Sequence, residues 1–212
     1  MSVLIGSARS SFGSPQNGDQ TGKEVSTQNF YLPSCGYWLG FKLKNKGLAI
    51  KLANAMNDAC HNNNIGYSQP YRMTGRAAYI KAGSIKKMDL CCVDCSSLVN
   101  LLLYSIDIIL PNFNTATEPY VLRKSGLFDE VKVKKESDCE TGMILVTPTK
   151  GHTVVVISAL FTEEEVKPID KIVDEVIAGK WGNGNTRKSK LIKAGYDYDV
   201  IRKKVNEKLK GK

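Results

Sequence analysis

The stretch FTEEEVKPID, residues 161–170, constrains this chain more than any other feature, because it separates two kinds of sequence. Three consecutive glutamates and a proline interrupt the apolar periodicity, and a fresh helical pattern starts behind them. The pattern predicts two folding units, residues 1–162 and 169–212, joined by a linker at 163–168. Charge changes at the same place. From Lys167 onward there are 13 Lys and Arg against 6 Asp and Glu, a net +7, whereas the preceding part carries 17 against 15, a net +2. A basic excess confined to so short a segment fits a module that meets an anionic polymer: nucleic acid, a membrane surface or a bacterial wall. A solvated, lysine-rich helical face is the plainer alternative. Three short helices are expected in the second unit, over 169–178, 186–193 and 199–209. A unit of about 45 residues is near the lower limit for unaided folding, so those helices must share a dense core.

The first unit mixes periodicities and reads as α+β. Residues 1–45, rich in Gly, Ser, Asn and Gln, are expected to form loops with an edge strand at EVSTQNFYL. KGLAIKLANAMNDACHNN has helical spacing, with Leu48, Leu52, Ala55, Met56 and Ala59 on one face. A second helix is expected over TGRAAYIKAG, ending at Gly83, and a third from about Cys95, carrying Leu98, Val99, Leu102 and Ile106 ahead of Pro111. GMILVTPTKGHTVVVISAL reads as two buried strands joined at PTKG, with His152 opening the second. No apolar run approaches the ~20 residues of a membrane-spanning helix. The start, MSVLIGSARSSFGS, lacks the basic stretch and apolar core of a signal peptide, so synthesis in a reducing cytoplasm and free thiols are expected.

Three of the six cysteines fall within DLCCVDCSSLV, residues 89–99, with Cys92 and Cys95 spaced C-x-x-C. A structural zinc ion needs about four N or S ligands. No second C-x-x-C exists, and Cys139 and His152, the groups that would complete the set, are far away in sequence. A redox pair would require a thioredoxin-like βαβ pattern that is not present. Cys91 and Cys92 read as small buried hydrophobes. Cys95 differs, because Asp94 is a good N-cap residue and an apolar helix follows it. That position lends a thiolate the positive end of a helix. An ordinary thiol is only about 3% ionised at pH 7, so a working cysteine also needs a histidine, whose imidazolium would help make the thiolate the main species. His61 follows an amphipathic helix and reads as a cap. His152, behind Gly151 and at the mouth of the most apolar strand, is either a hydrogen-bonded core histidine or the base of a papain-like Cys–His dyad.

VDCSSLV resembles the D-C-S-G/S-L-V signature of NlpC-type papain-like peptidoglycan peptidases, relatives of the CHAP amidases, and GHTVVVIS resembles their histidine strand. IGSARS, GDQTGKEVSTQNFY and NNNIGYSQPYR are similar to segments of phage lysins of this type. The resemblance implies a papain-like domain with helices on a small antiparallel sheet, Cys95 as nucleophile and His152 as general base. Tyr67 would match the tyrosine beside the oxyanion, unless it is a packed loop aromatic. The family's third polar residue, which orients the imidazole, has no counterpart here. VDEVIAGKWGNGNTRKSKLIKAGYDYDVIRKKVNEKL resembles the three-helix wall-binding repeat of certain phage lysozymes, in which a Trp and an Arg form the binding surface. Trp181 and Arg187 are the matching residues, and Trp181 as a mere core plug is the alternative. Together the resemblances imply an endolysin that cuts an amide bond of peptidoglycan, either within the stem peptide or as an N-acetylmuramoyl-L-alanine amidase. It would need no cofactor or metal, would bind peptidoglycan and anionic teichoic acid, and would leave the host cytoplasm through a holin pore. A non-catalytic wall-binding protein is the competing reading. A nucleic-acid binder would need clustered aromatics for base stacking, which are absent.

Overall fold

The computed structural model describes residues 2–10, 18–149, 151–158, 169–193, 196 and 198–210. The expected linker at 163–168 and its glutamates lie outside the described residues, as does Lys150 of the hairpin turn.

A six-stranded antiparallel sheet organises the first part. Its strands are β1 (Leu4–Ala8), β2 (Val25–Asn29), β3 (Trp38–Leu43), β6 (Phe128–Val133), β7 (Ile144–Val146) and β8 (Thr153–Ser158), in the spatial order β2-β1-β8-β7-β3-β6. The expected hairpin is present, with Ile144 opposite Val155 and Val146 opposite Thr153. Side chains alternate between two apolar layers. Ile144, Val146 and Val155 enter one, with Phe41, and Leu145, Val154 and Val156 enter the other, with Trp38 and Met143. Both faces of β7 and β8 are therefore covered, which is why they read as continuous apolar runs rather than alternating ones. On the first layer pack α1 (Lys46–Cys60) and α3 (Cys95–Ser105), through Leu52, Met56 and Ala59 and through Leu98, Val99 and Leu102. Two further helices, α2 (Thr74–Ala82) and α4 (Glu118–Ser125), and a parallel pair, β4 (Ile65–Tyr67) with β5 (Cys91–Val93), complete this part. Gly83 ends α2 in the left-handed conformation, as its position suggested.

Residues 1–45 depart from expectation. Among the described residues they supply three strands, of which β2 is an edge, while β1 and β3 are interior. The misleading signal was glycine. A Cβ on Gly6 would fall 2.6 Å from Met56 Cγ, and one on Gly40 2.8 Å from Met143 Sδ. These glycines mark close packing over the sheet rather than turns.

Beyond residue 168 the described chain forms α5 (Ile169–Ile177), α6 (Gly184–Lys193) and α7 (Tyr198–Lys210). Ile172, Val173, Val176, Leu191, Ile201 and Val205 make an apolar cluster of their own, with Trp181, Tyr196 and Tyr198 against it. No described helix is long and apolar enough to cross a membrane.

Candidate active site

The start of α3 is fixed by its own sequence. Asp94 is extended at the N-cap; its Oδ1 accepts the Ser97 N–H at 2.7 Å, and Ser97 Oγ accepts the Asp94 N–H at 2.8 Å, a reciprocal capping box. The other carboxylate oxygen takes the Arg72 guanidinium at 2.5 Å, and Arg72 also donates to Ser96 Oγ and to the Phe113 carbonyl. Burial alone would push the Asp94 carboxyl up, but the Ser97 amide and Arg72 outweigh it and hold the group below its usual range.

Cys95 follows in the first turn, 7% exposed. The backbone N–H groups of Thr153 and Ser96 are directed at its sulfur. Thr153 opens β8 directly after His152, so the start of the histidine strand lies beside the start of α3. The Thr153 N–H of β8 lies near the sulfur and favours its charged form. His152 itself is held through its backbone, its N–H donating to Thr147 Oγ1 at 2.9 Å and its carbonyl accepting the Thr147 N–H at 3.0 Å.

Electrostatics depart from the expected thiolate. Burial first, then the Asp94 charge and Glu118, push the Cys95 thiol up to about 11 despite the two amides. Burial, assisted by the Arg9 cation, drives the His152 imidazole down to about 4. At neutral pH the resting pair is therefore thiol and neutral imidazole. The carboxyl groups of Asp94 and Glu118, packed around that same helix end, oppose its positive end.

Several groups around the site escaped the sequence. Glu118, at the first turn of α4, is fully buried; its Oε1 accepts the Thr153 hydroxyl at 3.0 Å, while Oε2 has no partner. Burial raises this carboxyl well above the ordinary range. Arg9, just after β1, is held by Gln28 Oε1 at 2.5 Å, by the Ser26 hydroxyl and by the Lys23 carbonyl. Tyr31 stacks edge-on against Trp38 at 5.3 Å, within electrostatic range of both Arg9 and Cys95. The available hint was local: Arg9 and Arg72 lie within the lysin-like segments IGSARS and NNNIGYSQPYR, but Glu118 sits in a stretch without pattern.

Tyr67 ends β4, in register with Val93 two residues before Cys95. Its hydroxyl accepts Gln69 Nε2 at 2.6 Å, and its N–H donates to Glu24 Oε2 at 2.6 Å. His61 is the C-cap of α1, its ring against the Asn57 carbonyl at 2.7 Å. Cys91 and Cys92 are buried, and burial raises both thiols, Cys91 to about 12. All six cysteines are free, and among the described residues no three His, Cys, Asp or Glu side chains gather as metal ligands.

In the basic part, Trp181 donates its indole N–H to Glu175 at 3.0 Å and meets Tyr196 edge-on at 5.9 Å. Arg187 reaches back to the Gly182 carbonyl and to Asn183 Oδ1, each at 2.8 Å. Arg187, in α6, thus reaches back to the turn that carries Trp181, and Trp181 is half-buried rather than fully displayed.

A buried cysteine at a capped helix start, facing the mouth of a histidine-led antiparallel strand, is the site that the fold builds within residues 9–161, and that segment matches the family described as the endolysin-like domain. The chain belongs to this family. Residues 170–209 match the CW_7 repeat. A lysozyme of Streptococcus phage Cp-7 is 44% identical over 45 residues, 21% of this chain and 13% of that protein. The match thus spans about an eighth of the relative's length. No solved structure matches the chain.

Proposed function

We propose that this chain is a peptidoglycan hydrolase of the endolysin type, in which residues 1–162 form a papain-like cysteine hydrolase and residues 169–212 a three-helix wall-binding unit. The observation that carries the reading is a buried Cys95 at the capped start of α3, near the strand that His152 precedes, within the segment that matches the endolysin-like domain. Family membership, the repeat match and the separate apolar cluster of the last three helices support the two-part division.

In the proposed reaction the neutral imidazole of His152 takes the Cys95 proton as sulfur attacks the carbonyl carbon of a peptidoglycan amide. The oxyanion is met by backbone N–H groups at the start of α3 and by the Tyr67 hydroxyl. The imidazolium then protonates the leaving amine as the C–N bond breaks, giving a thioester. Water, deprotonated by His152, attacks that thioester, and the carboxylate leaves with Cys95 restored as a thiol. Because the resting pair is neutral, proton transfer accompanies attack instead of preceding it. Trp181 would stack on a sugar ring and Arg187 hold a carboxylate, while the +7 tail favours anionic teichoic acid. A single repeat gives modest affinity, since avidity is missing.

Turbidity loss of purified Gram-positive walls tests the mechanism. Cys95→Ala and His152→Ala are expected to abolish lysis while still sedimenting with walls, and Tyr67→Phe to slow it by roughly 100-fold. Lysis by Cys95→Ala at the wild-type rate would overturn the mechanism. If the wild type binds walls without lysing them, the non-catalytic reading takes its place. Mass spectrometry of released fragments separates stem-peptide cleavage from muramoyl-alanine cleavage.

A further inference from the structure

The start of α4 grips the histidine strand on both sides of His152. Thr115 Oγ1, three residues before the helix, accepts the Gly151 N–H at 3.2 Å, and Glu118 Oε1 accepts the Thr153 hydroxyl at 3.0 Å. Thr153 in turn directs its own N–H at the Cys95 sulfur. Glu118 is thus two contacts from the thiol, fully buried, with Oε2 unpartnered. An ionised carboxylate leaving one oxygen unpartnered and desolvated would be costly, whereas the neutral acid has a much smaller penalty.

We propose that Glu118 is a positioning residue for the Cys95–His152 pair and acts as an uncharged acid, locking the first residues of β8 onto the thiol without adding negative charge beside it. The proposal rests on the reading of Cys95 as the nucleophile. The titratable and charged groups around the carboxyl are Cys95 and Asp94, with Arg72 bonded to the latter. Asp94 already places a carboxylate beside the sulfur, and Arg72 compensates it. A second carboxylate at Glu118 has no cation partner among the described residues and would oppose thiolate formation directly. The raised protonation range of Glu118, caused by burial, agrees with this state at neutral pH. The same geometry explains why no acidic group need bear on His152: the strand carrying the imidazole is held by its backbone neighbours.

The experiment compares wild type, Glu118→Gln and Glu118→Ala in the full-length chain, with two readouts. The first is wall lysis across pH. Glutamine, neutral and isosteric, is expected to keep the wild-type rate at neutral pH within about threefold, and alanine to lose at least tenfold with little change in wall binding. The second is the rate of iodoacetamide labelling at the Cys95 peptide, read by mass spectrometry from pH 6 to 10. Around neutral pH the labelling rates of wild type and Glu118→Gln should agree, because both side chains are uncharged. Full lysis by the alanine variant, or loss in the glutamine variant equal to that of alanine, overturns the positioning role. Clearly faster labelling of Glu118→Gln than of wild type at neutral pH overturns the uncharged state. Should alanine fail to fold, the glutamine comparison still decides. Labelling reports on the Cys95 environment whether or not the chain lyses walls, so failure of this proposal and failure of the hydrolase reading give different results.

Discussion

At the scale of single residues, the site is governed by desolvation and by which charges surround it. His152 illustrates both. Its imidazole, driven to about 4 by burial and Arg9, titrates near 6.5 once the chain unfolds. Between these values the unfolded chain binds the extra proton, so stability is full above about pH 6.5 and falls as pH drops towards 4. The loss is expected to reach about 2 kcal/mol at pH 4.5. Urea unfolding at pH 7.5 and 4.5 checks it: His152→Gln should lose less over this interval than wild type, and equal losses would contradict the assignment. In lysis the same shift leaves the base form available down to about pH 4, so the acid limb of kcat/KM should lie well below 6.5. Sequence made His152 and Cys95 visible as candidates, because a capped helix start and a glycine-led strand start are local patterns. Their protonation states were not legible, since Arg9 and Glu118 reach them only through tertiary packing.

At the scale of elements, α3 depends on Asp94 twice: as the cap of the helix and as the partner of Arg72. Asp94→Ala removes both and leaves the guanidinium facing the Ser96 hydroxyl and the Phe113 carbonyl only. A loss of roughly 3 kcal/mol is expected in urea unfolding. Asp94→Asn keeps a capping acceptor and should lose clearly less, so equal losses would show that the cap contributes nothing separable. The same variants should reduce lysis beyond their effect on stability, because the cap sets the direction in which the Cys95 sulfur points. Helices were the legible elements: α1, α2 and α3 lie where apolar spacing, Gly83 and Asp94 put them. Strands β1 and β3 were not, because Gly6 and Gly40 carry a loop signal that packing against Met56 and Met143 overrides.

At the scale of the whole molecule, the charge asymmetry separates catalysis from targeting in the proposed function. Raising salt from 0.1 M to 1 M shortens the screening length from about 10 to about 3 Å, so retention on isolated walls should weaken steeply. Wall co-sedimentation of the catalytically silent Cys95→Ala protein measures this without lysis. Arg187→Ala should weaken retention further at low salt, with lysis of soluble wall fragments less affected than lysis of intact walls; unchanged retention would exclude Arg187 from the binding surface. What the sequence determined by itself was local: helix starts and stops, the buried hairpin, the charge break at residues 161–170 and the choice of Cys95 and His152 as candidates. These follow from periodicity and capping, which act over a few residues. What only the tertiary structure decided was the company that those residues keep. The insertion of β1 beside β8, the grip of α4 on both sides of His152 and the neutral imidazole arise from contacts between segments 35 to 150 residues apart, as from Glu118 to Thr153, from Gly6 to Val155 and from Arg9 to His152. No local pattern encodes contacts at that separation, because they exist only when the sheet has closed and excluded water from the site.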